Sequence, residues 1–277
     1  MSSEVINPNS ALSVAILSGK GGVGKTNLAL NLSYALFRAG HRVLLMDFDV
    51  GLANVDVLLG LSPEKNLQDL FRPEVTAEEV MLAVEPGGFD FLPAASGVPE
   101  LLEMDDDMRE ILFHKLNAAF AAYDYLMLDL GAGISQTVLS VAAMSHQRVL
   151  VVTPEPTSLT DSYAVIKVLF TQYGLTDFHI LVNQVDGPGD TTATFGRLSA
   201  ACQHFLGFTP TLLGGVRSDP ALPDAVRRQI PLLRYAPKAP ASLDILTCAV
   251  KLHRIRQHRQ EELTRMAILG KIPPIRK

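Results

Sequence analysis

Nine consecutive residues, Ser18-Gly19-Lys20-Gly21-Gly22-Val23-Gly24-Lys25-Thr26, restrict what this chain can fold into more than any other stretch. They stand between an apolar, β-prone run, Val14 to Leu17, and an amphipathic helical pattern from Asn27 to Ala39. Gly19 to Thr26 fits G-x-x-x-x-G-K-[ST] in full, and strand, glycine-rich turn and helix is the context that pattern needs. Glycines let successive backbone N–H groups converge on phosphate oxygens without Cβ clashes. The N-terminus of the following helix adds partial positive charge. Lys25 is thereby placed for the β- and γ-phosphates of a bound nucleotide, and the Thr26 hydroxyl for Mg²⁺.

The rest of the chain reads as a frame for that loop. Short apolar runs recur at Val14–Leu17, Val43–Met46, Phe89–Leu92, Tyr125–Leu128, Val149–Val152, His179–Val182 and Thr211–Val216, with helical patterns between most of them. Runs without strict alternation, separated by helices, indicate parallel strands covered on both faces. The expected fold is α/β, a single doubly wound, mostly parallel sheet with its ligand at the C-terminal ends of the strands. Residues 1–11 read as a loose leader, 12–250 as the domain and 251–277 as a basic amphipathic tail.

Composition narrows the class. Cys202 and Cys248 lie far apart and form no C-x-x-C, which argues for a reducing, cytoplasmic compartment and against a zinc site. No apolar run approaches the roughly 20 residues that span a bilayer. The net charge of −5 is uneven: residues 251–277 carry a balance of +6 and the other 250 residues −11. An acidic body does not suit nonspecific nucleic-acid binding, whereas a basic tail suits an anionic membrane surface. From Ala241 a long helix is expected, with Ile245, Cys248, Leu252, Ile255, Leu263 and Met266 on one stripe. Beyond Arg256 that stripe thins as basic charge rises, the pattern of an interfacial segment.

Carboxylates mark the remaining chemistry. Asp47 and Asp49 close the second strand at i and i+2, so both face the side where phosphate would sit. One is expected at the metal and the other at the attacking water. Tyr125 to Asp129 is an apolar strand ending in a carboxylate suited to Mg²⁺ through water, and Gly133 follows with a backbone N–H for the γ-phosphate. Ser158 and Asp161 fit a helix capping box. The Asp105-Asp106-Asp107 run reads as acidic residues favouring a helix dipole rather than as a metal site.

With Lys20 inside the loop, the sequence K-G-G-V-G-K-T resembles the deviant Walker A ATPases of the MinD/ParA family. That resemblance implies ATP as the nucleotide and slow hydrolysis to ADP and phosphate. It also implies a homodimer closed by ATP, with Lys20 crossing between subunits. It makes Asp49 the residue that orients water, assisted by Asn54, and puts Glu155 and Asp161 at the dimer face, Asp161 pairing with Lys20 when ATP is absent. Asn183 takes the adenine-binding role, with backbone contacts from the loop that holds Arg217, Ser218 and Asp219.

Within the family, D-x-D-x-G-L-A-N-V-D-V-L-L-G-L from Asp47, the P-E-P-T-S stretch from Pro154 and Leu92-Pro93-Ala94-Ala95-Ser96-Gly97 look most like the flagellar branch. Its members regulate flagellar number and placement. The implied partner is a flagellar GTPase or a transcription activator; the leader, Met1 to Ala11, lacks the D-Q-x-x-x-L-R pattern that accompanies GTPase activation. The alternatives are a division-site selector, a partitioning ATPase, for which the acidic body is unsuited, and a nucleotide-binding scaffold that does not hydrolyse ATP. Iron–sulfur relatives need interface cysteines that are absent here.

Overall fold

The structure, a computed structural model, describes residues 7–49, 55–72, 74–93, 116–271 and 274–276. Asn54, the run 105–107 and most of the stretch 92–97 lie outside the described residues. Eight strands form one sheet: β1 (Leu12–Ser18), β2 (Val43–Phe48), β3 (Leu82–Glu85), β4 (Phe89–Pro93), β5 (Tyr125–Ala132), β6 (Gln147–Val152), β7 (Phe178–Val185) and β8 (Thr211–Arg217). Their spatial order is β3-β4-β2-β5-β1-β6-β7-β8. All seven expected runs are strands, and the pairings among them are parallel.

The unanticipated strand is β3, antiparallel to β4. It pairs through Pro86-Gly87-Gly88, where both glycines hold the left-handed φ of +103° and +108° that a reversal this tight requires. Along β1, Leu12, Val14 and Ile16 enter one core layer while Ala15 and Leu17 enter the other. A strand buried on both faces has no polar side to show, which is why β1 reads as a continuous apolar run.

The helices that position the site are α1 (Lys25–Arg38), α2 (Val55–Leu59), α3 (Ala77–Val80), α4 (Gln136–Met144), α5 (Pro156–Tyr173), α6 (Pro188–Leu206), α7 (Ala221–Arg227), α8 (Leu232–Tyr235), α9 (Pro240–His258) and α10 (Gln260–Leu263). β1 lies mid-sheet, between β5 and β6, so its C-terminal end opens where doubly wound sheets bind ligands.

Both ends of the chain depart from expectation. The leader is docked from Asn7 onward: the Asn7 side chain brackets Ala11 with two hydrogen bonds, and Arg256 donates to the carbonyls of Asn9 and Ser10. The long C-terminal helix stops at His258 instead of running through Met266. There Arg259 reaches the His146 carbonyl and Glu262, α10 adds a single turn, and Leu263, Ile268 and Leu269 bury themselves in the body. The apolar side of the tail therefore faces protein. Among the described residues no helix is long and apolar enough to cross a membrane.

Candidate nucleotide site

The loop between β1 and α1 surrounds a cavity of about 340 Å³, lined by Ser18, Gly21 to Asn27, Asp49, Val57, Leu58 and Ala132. Gly22 and Gly24 hold φ of +79° and +86°, a conformation L side chains rarely adopt. Ser18 donates through its hydroxyl to the Lys20 carbonyl at 3.0 Å, fixing the start of the loop. Gly19 is required for a different reason: a Cβ there would collide with the backbone of Asp161 and Ser162 on α5.

At the floor, Lys25 Nζ donates to Asp129 Oδ1 at 2.8 Å, with both side chains buried. Burial pushes the Asp129 carboxyl up to about 6, against the pull of Lys25 and the Thr26 hydroxyl. Asp129 Oδ2 is buried and has no hydrogen-bond partner. An orphaned carboxylate oxygen beside a hydroxyl is the donor set Mg²⁺ takes, so Thr26 and Asp129 fit the expected metal. Asp47 pairs in register with Asp129 across β2 and β5. Its two oxygens accept from the backbone N–H groups of Asp49 and Val55, so it also ties down both sides of the loop that carries Asp49.

Lys20 does not line the cavity. Its Nζ donates to Glu155 and, at 3.2 Å, to Thr157. The expected pairing with Asp161 is thereby corrected: α5 begins at Pro156, which leaves Glu155 at the N-cap within reach, while the Asp161 backbone lies against Gly19. The capping box read at Ser158 is not formed either. Ser158 already sits inside the helix, and its hydroxyl accepts from the Thr153 N–H. Hydrogen bonding to Lys20 holds the Glu155 carboxyl below the usual carboxylate range. The Gly133 N–H is engaged as well, by the Ser18 carbonyl at 2.9 Å.

A narrower cavity beside the loop brings together Asn183, Arg217, Ser218 and Asp219 with Asn27, Asn31 and Gln184. The four residues expected around adenine therefore converge, with differences in detail. Asn183 Nδ2 donates to the Val23 carbonyl at 2.8 Å. Backbone N–H groups of Arg217 and Ser218 are taken by Asp244 and by the Val185 carbonyl, and the Asp219 carbonyl accepts from the Leu222 N–H. The Arg217 guanidinium forms a two-bond pair with Asp244, each bond 2.8 Å. Asp219 receives the N–H groups of Ala221 and Ala241, joining α7 to α9. Sequence reading missed Gln184, Asn31 and Asp244. Asn27 and Asn31 stand at i, i+4 on α1, a spacing that could have flagged them; Gln184 and Asp244 left no signal.

A glycine-rich phosphate cradle, a buried lysine–aspartate pair and an amide-lined pocket at the switch point of a parallel sheet define a P-loop nucleotide-binding protein. The family described as an AAA domain matches residues 11–172. The antiactivator FleN of Pseudomonas aeruginosa is 37% identical over 239 residues, 86% of this chain and 85% of FleN. The flagellum site-determining protein YlxH of Helicobacter pylori is 33% identical over 81% of this chain and 76% of its own length. Among solved structures, the MinC:MinD cell division complex of Aquifex aeolicus superposes with a TM-score of 0.71 at 28% identity, covering 88% of this chain and 96% of that one. The chain belongs to the MinD/ParA family of deviant Walker A P-loop ATPases, in which it resembles the FleN (FlhG) branch.

Proposed function

We propose that this protein is an ATP-driven switch that regulates flagellar number or placement. ATP and Mg²⁺ bind at the phosphate loop, two copies close across Lys20, and slow hydrolysis to ADP and phosphate reopens them. The observation that carries this reading is Lys20: it sits inside the phosphate loop yet turns from its own cavity to Glu155 and Thr157. A lysine held by exposed acceptors can exchange them for the phosphate of a second copy. Val57 on α2, which lines the cavity, and Ile134, just past Gly133, are exposed apolar side chains that a second copy can bury.

Thr26 and Asp129 would hold Mg²⁺, which supplies charge neutralisation at the phosphates. Lys25 exchanges Asp129 for phosphate oxygens, and Asp49 lines the cavity where it can orient water. The flagellar assignment rests on similarity to FleN and YlxH. A flagellar GTPase or a transcription activator is the partner class; the description of FleN as an antiactivator favours the activator.

Light scattering of the full chain with Mg-ATP and with Mg-ADP tests the switch. Expected is a dimer with Mg-ATP alone, lost in Lys20→Ala while nucleotide affinity is largely kept. Asp49→Ala should hold the dimer closed. Normal ATP-dependent dimerisation of Lys20→Ala would remove the trans-acting lysine. Association with anionic membrane through the tail requires Leu263, Ile268 and Leu269 to leave the body first, and liposome co-sedimentation in each nucleotide state checks it.

A further inference from the structure

Consecutive side chains on a strand point to opposite faces, so two neighbours should not reach the same loop. At the end of β7 they do. Asn183 donates to the carbonyl of Val23 at 2.8 Å, and the next residue, Gln184, donates through Nε2 to the carbonyl of Gly22 at 3.4 Å. The arrangement depends on Gln184 holding φ of +58° at an irregularity in the β7–β8 register, between Asn183 and Val185. Left-handed backbone at a non-glycine residue costs free energy, and such strain concentrates at functional sites. The register break turns a second amide onto the phosphate loop.

The consequence follows from peptide geometry. Within one trans peptide plane the C=O and the next N–H point in opposite directions. Holding the carbonyls of Gly22 and Val23 against β7 therefore aims the N–H groups of Val23 and Gly24 the other way, towards the cavity side of the loop. Gly24 leaves the space needed, since a Cβ there would meet Asn183 Nδ2. We infer that Gln184 is a positioning residue that, with Asn183, presets the phosphate-binding amides before nucleotide arrives. This rests on the reading of the loop as a nucleotide site.

The test uses the full chain, with Mg-ADP as the probe. Gln184→Asn suits the left-handed backbone better than glutamine does, but its amide falls short by one methylene. Its thermal unfolding midpoint without nucleotide should match or exceed the original. Its Kd for Mg-ADP should rise about three- to tenfold, the scale of one net hydrogen bond. Hydrogen exchange at residues 19–26 of the free protein should quicken. Gln184→Gly should shift affinity and exchange in the same directions. Unchanged Kd in both variants, with the original protein binding Mg-ADP, would overturn the positioning role alone. Failure of the original protein to bind Mg-ADP would overturn the nucleotide-site reading on which it rests.

Discussion

Lys20 and Glu155, 135 residues apart, form an ion pair within one chain, and the Thr157 hydroxyl is the second acceptor of the same ammonium at 3.2 Å. If a second copy must take Lys20 over, this pair competes with it. Exposed ion pairs are weak, so the competition is mild. Glu155→Ala should strengthen Mg-ATP-dependent self-association roughly threefold, the scale of an exposed pair, as measured by sedimentation equilibrium. Weaker association in that variant would make Glu155 part of the dimer contact and not a restraint on it.

Lys25 and Asp129 bear on stability as well as binding. Removing one partner of a buried ion pair leaves an uncompensated charge. Lys25→Met should lower unfolding free energy by about 3 kcal/mol at pH 7.5, read from urea midpoints. Adding Asp129→Asn should restore part of the loss while nucleotide binding stays abolished. Equal stability of the single and double variants would mean that the pair is not the source.

The first two glycines of the motif, Gly19 and Gly21, part company. Gly19→Ala drives a methyl into the backbone of α5 and should cost about 1–3 kcal/mol, because backbone cannot yield as a side-chain tip can. Around Gly21 an added Cβ meets nothing within 4 Å. Gly21→Ala should stay within about 0.5 kcal/mol. Thermal melts of the two variants decide it, and equal losses would defeat the distinction.

His146 gives a pH dependence with a defined sign. Its Nδ1 accepts from the Ser13 N–H at 3.2 Å and its Nε2 donates to the Ala267 carbonyl at 2.9 Å, so the ring is held neutral. Burial pushes it down to about 4 from an ordinary 6.5. Between those values the unfolded chain binds the proton and the folded chain does not. The contribution is therefore complete above pH 6.5 and is lost as pH falls towards 4, up to about 3 kcal/mol. His146→Asn should be less stable at pH 7.5 and flatter across that window. A parallel pH profile in the variant would exclude His146 as the cause.

How much of this was legible in the sequence depended on how local each determinant is. The phosphate loop, seven strands and Asp129 follow from near-neighbour patterns. β3 went unread because four residues beside a Pro-Gly-Gly turn carry too little periodicity, though the turn itself was a hairpin signal. Glu155 as partner of Lys20, Asp244 as partner of Arg217 and the Gln184 bond to Gly22 each join residues remote in sequence. No spacing rule reaches across 135 residues, and the strained φ at Gln184 leaves no compositional trace. The tail misled for a related reason: its thinning stripe was read against solvent or membrane, when Asn117, Met144 and His146 were waiting for it.

That docking makes a final prediction. Leu263, Ile268 and Leu269 are almost wholly buried, Gly270 N–H bonds the Met144 carbonyl, Leu269 N–H bonds Asn117, and Arg259 bonds the His146 carbonyl. Burying one such aliphatic side chain contributes about 1.5–3 kcal/mol. A chain ending at Arg256 loses three of them and the polar contacts that close over them. The summed loss, at least about 4 kcal/mol, is a large part of the 5–15 kcal/mol typical of a folded domain. The truncated protein should therefore melt about 8–16 °C lower, by the usual scaling of such losses, followed by circular dichroism. A tail that left the midpoint within about 2 °C would be loosely held and free to seek another surface. The large shift would instead mean that the tail is part of the fold, so membrane contact must be sought with the tail intact.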